Sequence, residues 1–436
     1  MKKGLVLAGG GSRGAYQIGV WQALRELGFE IEAVAGTSVG ALNAAMIAQD
    51  DFDTALSLWE QLTTEDILEG IPEADLSTPE GWLQAARGFV ENIGSASAAP
   101  LHHLVRQVVD EEKVRQSPID FGIVTVRFPD FKPMVLTKEK MEPGKLTDYI
   151  LASASCFPAM KSYQIGKEQF IDGGYYNNLP IEIAVKQGAD DIIAVDLQAI
   201  GLVRSAHYPK VRIRTLRCHW DLGPVLVFDP AVSQHNVRLG YLDGLRLFGK
   251  VSGRFYAFVP GQLRRVAALL MPFLGESCAR CSFGLVASQG LPMEEQGKLR
   301  LLQTLGLKGD HRYELDRFLM RCAETGGEAL GLDPCALYDA DAFVDAALEA
   351  YRAHIQHAAD DLSVTRADAL LAAALRLSKS GLPALSAFAA DCLWEVFTHR
   401  TRPHCLWVLA VHHPEAFVAG IFLLLCRQLR EPRLLD

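Results

Sequence analysis

The sequence contains no run of about 20 consecutive apolar residues, the length a helix needs to cross a bilayer. Its greasiest stretch, 417–426 (Phe-Val-Ala-Gly-Ile-Phe-Leu-Leu-Leu-Cys), is half that length and comes after His412, His413, Pro414 and Glu415. A buried or interfacial helix is expected there. The amino end is also short of apolar residues. After Lys2 and Lys3 only Leu5-Val6-Leu7-Ala8 precedes three glycines, less than the ~7–15-residue core of a secretory signal. No export signal is expected.

Basic residues are outnumbered, 43 Lys+Arg against 52 Asp+Glu for a net charge of −9. They are scattered, and local clusters such as Arg212, Arg214 and Arg217 alternate as on a solvated strand face. Nucleic acid is therefore not an expected partner. Cysteine is odd in number, nine, and only Cys278 and Cys281 have CxxC spacing, with no second pair at zinc-ribbon distance. Reduced thiols, a cytoplasmic location, no metal and no cofactor are the expectation. No fixed-period repeat supports a solenoid.

What remains is an ordinary globular composition: 436 residues, 49% hydrophobic and 22% charged, with a mean hydropathy of +0.11. The length exceeds the ~100–200 residues of one typical domain. Over the first 250 residues strand and helix signals alternate. Residues 4–8 form a short continuous apolar run ending in glycines, as a buried parallel strand does, and 15–27 place Ile18, Trp21, Leu24 and Leu27 on one helical stripe. The pattern repeats with a strand at 31–35 and a small-residue helix at 41–48. Further strands are predicted at 121–128, 134–137, 169–171 and 192–197, and a helix at 180–187 with its proline in the first turn. That alternation predicts an α/β fold with a mainly parallel sheet. After about Phe255 strand signals stop and helical patterns take over at 263–274, 294–305, 313–324, 342–357, 366–377, 385–398 and 415–430. Two units are expected, an α/β domain over 1–250 and an all-α region over 255–436.

Three short constellations can carry chemistry. Gly9-Gly10-Gly11-Ser12-Arg13-Gly14 joins the first strand to the first helix and formally satisfies G-x-G-x-x-G, in which backbone N–H groups hold an anion. Gly36-Thr37-Ser38-Val39-Gly40 matches G-x-S-x-G at a strand-to-helix junction, where a tight turn lifts a serine hydroxyl clear of the sheet and flanking side chains would clash. Asp172-Gly173-Gly174 comes directly after a strand; taken alone it reads as a turn.

In this order and spacing the three motifs resemble the patatin-like phospholipase family. Ala152-Ser153-Ala154-Ser155-Cys156-Phe157-Pro158 is similar to the segment that family has upstream of its catalytic aspartate. Asn178-Leu179-Pro180 and Gly188-Ala189-Asp190 leading into 192–196 are similar to the family's segments downstream of that aspartate. The likeness covers about residues 1–200, more loosely to 250, and leaves the region after Phe255 without an implied role. It implies a three-layer fold around a mainly parallel sheet and a lipid acyl hydrolase with a Ser–Asp dyad. Carried onto this chain, Ser38 is the nucleophile and Asp172 accepts its proton directly. Backbone N–H groups of the loop Gly9, Gly10, Gly11, Arg13 and Gly14, chiefly the Gly10-Gly11 turn, hold the oxyanion with help from the helix at Val39. Gly36 and Gly40 shape the elbow, Gly173 and Gly174 the aspartate turn, and Arg13 anchors the loop or adds positive potential. The implied partners are a lipid or acyl-ester substrate and a membrane contacted peripherally.

Three other readings compete with this one. Dinucleotide binding needs an acid at the end of the second strand, and Glu32 stands at its start. A Ser–His–Asp esterase of α/β-hydrolase type would draw its base from His207, His219 or His235, but its elbow comes after several strands. A non-catalytic lipid- or membrane-associated assembly protein would use the carboxy-terminal helices for docking.

Overall fold

A computed structural model describes residues 1–69, 97–157, 159–204, 207–281, 292–307, 315–354, 367–399 and 406–431. Pro158, residues 313–314 and 355–357, and Arg366, all within segments singled out above, lie outside the described residues. Two compact units divide the chain, Met1–Phe248 and Gly249–Asp436.

The first unit is built on an eight-stranded sheet. Its strands are β1 (Lys3–Leu7), β2 (Ala33–Thr37), β3 (Asp120–Phe128), β4 (Lys132–Thr137), β5 (Tyr163–Ile165), β6 (Glu168–Asp172), β7 (Asp191–Asp196) and β8 (Arg212–Arg217). The order is β5-β6-β3-β2-β1-β7-β8, with β4 beside β3. The pairs β1/β2, β1/β7, β2/β3 and β7/β8 are parallel; β4, β5 and β6 add an antiparallel edge. The central strands are continuous apolar runs because helices cover both faces. Helix α1 (Ala15–Glu26) and helix α2 (Val39–Ala48) come after β1 and β2. A methyl group on Gly36 would strike the first turn of α2, whereas one on Gly4 or Gly122 would meet Ala189 or Ile183. Gly4 and Gly122 pair with Ala33 and Ala35, one step out of phase with Gly36, so those contacts lie on the opposite face. The result is three layers.

Helices α3 (Phe52–Gln61), α4 (Ala99–Val108), α5 (Glu111–Gln116), α6 (Leu146–Ser153), α7 (Ile181–Lys186) and α8 (Pro230–Leu247) complete the unit. Side chains cap three of them: Asp51 accepts from Thr54 N–H, Asp110 from Glu112 and Lys113 N–H, and Asp229 from Val232 N–H. Such caps satisfy first-turn donors that have no partner inside the helix. At α7 the proline is displaced from the predicted position: Pro180 is the capping residue and the helix starts at Ile181.

Among its described residues the second unit is helical except for a two-residue parallel ladder, β9 (Ala257–Phe258) with β10 (Leu337–Tyr338). Its helices are α9 (Gln262–Arg280), α10 (Pro292–Thr304), α11 (Leu315–Leu330), α12 (Ala340–His354), α13 (Ala367–Leu377), α14 (Leu382–His399), α15 (Trp407–His412) and α16 (Pro414–Arg430). The apolar stretch at 417–426 lies in α16 and is buried over its whole length. Among the described residues no helix is long and apolar enough to cross a membrane.

Candidate active site

Strand β3 brings the site together. One of its edges pairs with β2 through Val124 and with β6 from Thr125 onward, while β4 runs along the other edge. Strands β2 and β6 therefore approach each other end-on, β2 finishing at Thr37 and β6 at Asp172. Ser38 is the next residue after Thr37; it lines one cavity with Asp172, and its hydroxyl is near enough to pull the Asp172 pKa down.

Ser38 has φ 56° and ψ −127°, a left-handed conformation that costs a non-glycine residue about 1–3 kcal/mol. Its surroundings hold it there. The Ser38 N–H donates to Ser153 Oγ at 2.9 Å, and Ser153 Oγ–H donates to Val124 O at 2.6 Å. Thr37 Oγ1 donates to Asn177 O at 2.8 Å. Space does the rest: a Cβ on Gly36 would lie 2.0 Å from Gly40 O, and one on Gly40 2.3 Å from Leu7 O.

Asp172 is buried. Its N–H donates to Ser155 O at 2.9 Å, and its carboxylate accepts from Gly174 N–H at 2.7 Å. Burial pushes the carboxyl up to about 6, against the opposing pull of the Ser38 hydroxyl and of the hydrogen bond from Gly174 N–H. Burial, reinforced by the Asp172 charge, also pushes the nearby Cys156 thiol up to about 12, which keeps it a neutral thiol near pH 7.

The glycine loop is cross-braced to the aspartate loop. Gly9 N–H donates to Asn178 O at 3.1 Å, and Asn178 Nδ2 donates back to Gly9 O at 3.2 Å. Ser12 N–H donates to Val225 O at 2.8 Å and Arg13 N–H to Gly10 O at 3.2 Å. Those bonds narrow the loop's sequence-based donor set. Gly9 and Arg13 have their N–H groups engaged, whereas no acceptor among the described residues takes those of Gly10 and Gly11. Arg13 and Gly14 lie off the cavity that Ser38 lines. The Arg13 guanidinium instead binds the carbonyls of Gly223, Leu197 and Gln198, so it anchors the loop from behind. Gly14 is packed against Val39 and Trp59.

That cavity has a volume of about 700 Å³ and is lined by Gly9, Gly10, Gly11, Ser38, Asp172 and Gly174 at its polar end. Leu58, Trp59, Leu101, Val105, Met160 and Phe228 are among the apolar residues lining the rest. His207, His219 and His235, the imidazoles a triad would draw on, do not line it. Glu32, the acid nearest a nucleotide site, accepts from Lys3 N–H at 2.8 Å. No group of three or more metal-ligating side chains occurs among the described residues.

Sequence reading assigned no role to Ser153 or Asn178, and none to helices α3 and α4. A signal was present for α4: Leu101, Leu104, Val105 and Val108 have i, i+3, i+4, i+7 spacing, and all four line the cavity. For Ser153 there was none beyond its place in the segment 152–158.

A covered parallel sheet with a serine on a strand-to-helix elbow beside a buried carboxylate defines an α/β protein of the serine-elbow class. Residues 5–185 match the patatin-like phospholipase family. The chain is 28% identical over 196 residues to patatin-like phospholipase domain-containing protein 7 of Rattus norvegicus, and 30% identical over 200 residues to protein 6 of that series from Homo sapiens. Each alignment covers 44% of this chain and 13% of the relative. Lysophospholipase NTE1 of Mycosarcoma maydis is 25% identical over 268 residues, 60% of this chain and 13% of that one. The chain thus spans a small part of the length of these relatives.

Proposed function

We propose that this protein hydrolyses carboxylic ester bonds of phospholipids or other acyl lipids, with Ser38 as nucleophile and Asp172 as the base that takes its proton. The observation that carries the reading is the Ser38 hydroxyl set against the buried Asp172 carboxylate at the polar end of a long-walled apolar cavity. An ordinary carboxylate, with a pKa near 4, is a weak base for a serine hydroxyl; one raised to about 6 by burial is better matched and still ionised at neutral pH.

In the first step Ser38 Oγ attacks the ester carbonyl carbon and its proton passes to Asp172. The N–H groups of Gly10 and Gly11 receive the oxyanion, aided by the positive end of α2, whose first residue is Val39. Collapse expels the alcohol, which takes the proton from Asp172, and leaves an acyl-serine. Water activated by Asp172 then releases the fatty acid. The apolar wall receives the acyl chain. A fungal relative bears the name lysophospholipase, which supports a lipid ester as substrate. A reducing, cytoplasmic setting accords with the described cysteines, none of which is in a disulfide. The two units divide the work: residues 1–250 carry the chemistry, and 255–436 form a helical region without an assigned reaction.

The test is a p-nitrophenyl ester series of rising chain length with the native protein and Ser38→Ala. Turnover that grows with chain length and vanishes in Ser38→Ala is expected; a native protein inert on every ester, including phospholipid micelles, overturns the reading.

A further inference from the structure

We propose that the mouth of the Ser38 cavity is a bilayer-docking surface, formed by Phe131, Phe157, Tyr175, Ile200, Leu202 and Val203 and favouring anionic headgroups. The proposal rests on the acyl-hydrolase reading, since a substrate of that kind resides in a bilayer.

All of these side chains but the half-buried Phe157 are exposed. Ile200 is 100% exposed, Leu202 62%, and Phe131 and Val203 52% each. Single exposed apolar residues are ordinary on a protein surface; a contiguous group is not. Contacts show continuity here. The ring of Phe131 lies 6.2 Å from that of Tyr175 and 5.7 Å from that of Phe128, which is 5.2 Å from Phe157. Tyr175 Oη donates to Phe157 O at 2.5 Å. The 200–203 segment is joined to the same patch by Leu202 N–H donating to Gly174 O at 2.9 Å and Asn178 N–H donating to Leu202 O at 2.6 Å.

The patch leads inward. Phe157, Tyr175, Ile200 and Leu202 also line the cavity that holds Ser38 and Asp172. An acyl chain leaving a bilayer at this rim would therefore meet apolar side chains along the way to the serine. A water-soluble ligand would gain nothing from such a collar.

Charge complements the choice of a membrane over a protein partner. Lys132 is next to Phe131, Lys161 next to the cavity residue Met160, and Arg204 next to Val203; all three are exposed. Asp130, next to Phe131, and Glu168, on the neighbouring strand β6, are both hydrogen-bonded to Arg127. An apolar rim flanked by cations suits insertion at the level of anionic headgroups, where each basic residue adds attraction.

Vesicle flotation tests this without turnover. Full-length Ser38→Ala protein is mixed with phosphatidylcholine vesicles, with or without phosphatidylglycerol. Flotation with the phosphatidylglycerol vesicles is expected. Adding Phe131→Asp and Val203→Asp should weaken it at least about tenfold, the loss expected when buried apolar contacts of this size are removed. Replacing Lys132, Lys161 and Arg204 by serine should remove the preference for phosphatidylglycerol. In the Ser38 background the double variant should leave p-nitrophenyl butyrate hydrolysis and the thermal transition as in the native protein. No flotation at either composition, equal flotation of the double variant, or a concentration-dependent dimer abolished by the same substitutions would each overturn the proposal, the last in favour of a protein interface. Protein that floats yet cleaves no ester keeps the docking surface and removes the hydrolase reading; protein that cleaves soluble ester but does not float does the reverse.

Discussion

Thr37 and Asp172 pair with successive residues of one strand, Val124 and Thr125, on the same edge. The separation of Ser38 and Asp172 is therefore set by sheet register rather than by loop conformation. Sliding β6 by one residue would turn the Asp172 side chain to the other face. Preorganisation of this kind is what the proposed two-residue catalytic unit requires, and Gly174 N–H holds the Asp172 carboxylate in addition.

The raised Asp172 pKa sets the pH dependence. The base must be ionised, so kcat/KM on a soluble ester should fall about tenfold per pH unit below about 6 and level off above it. Asp172→Asn should lose about 10²–10⁴-fold, the usual contribution of general base catalysis, and should lose the pH step as well. Stopped assays from pH 4.5 to 8.5 on both proteins decide this. A step that persists in Asp172→Asn would place the titration on another group.

The same shift has a cost in stability. A carboxyl whose pKa rises on folding favours the folded state in its protonated form, and that contribution disappears as pH climbs from the unfolded value near 3.8 to about 6. Asp172→Asn, neutral at every pH, should therefore be more stable than the native protein at pH 8, by on the order of 2–3 kcal/mol, with the gap closing below about pH 4. Urea denaturation at both pH values measures it.

Much of this was legible in the sequence. The strands of the parallel core announced themselves as short apolar runs bounded by glycine, since strands buried on both faces have no polar positions to hide the signal. Ser38 and Asp172 stood out through their glycine neighbours, which packing at the elbow demands. The cavity wall was not legible. Residues 52–61 and 99–108 form short amphipathic helices, and nothing local tells a stripe facing a core from one facing a cavity. Arg13 was open between two roles for a related reason: a side chain next to an anion-binding loop can face the ligand or brace the loop, and its guanidinium binds three carbonyls distant in sequence.

Glycine at position 11 is a steric requirement. Its φ is +54°, and a Cβ there would lie 1.9 Å from Val225 O. Gly11→Ala should displace the loop and reduce kcat by at least about 10²-fold, as loss of one oxyanion donor does elsewhere. Gly28 has a similar φ of +64° with nothing within 4 Å, so Gly28→Ala should cost only about 1 kcal/mol of stability and leave kcat unchanged. Equal kinetic effects of the two substitutions would remove the loop from the mechanism.

Ser153 links the elbow to the sheet without lining the cavity. Ser153→Ala leaves Ser38 N–H and Val124 O without this partner, which should cost about 1–3 kcal/mol of stability. Because Ser38 loses its positioning while the acyl pocket stays intact, kcat should fall with KM little changed. A change confined to KM would contradict that role.

The most direct test is labelling by a serine-reactive fluorophosphonate and then peptide mass spectrometry. The native protein should take up one phosphonyl group, located at Ser38, with none in Ser38→Ala and much slower uptake in Asp172→Asn. Labelling at another serine, or unchanged labelling in Ser38→Ala, would contradict the assignment of the nucleophile.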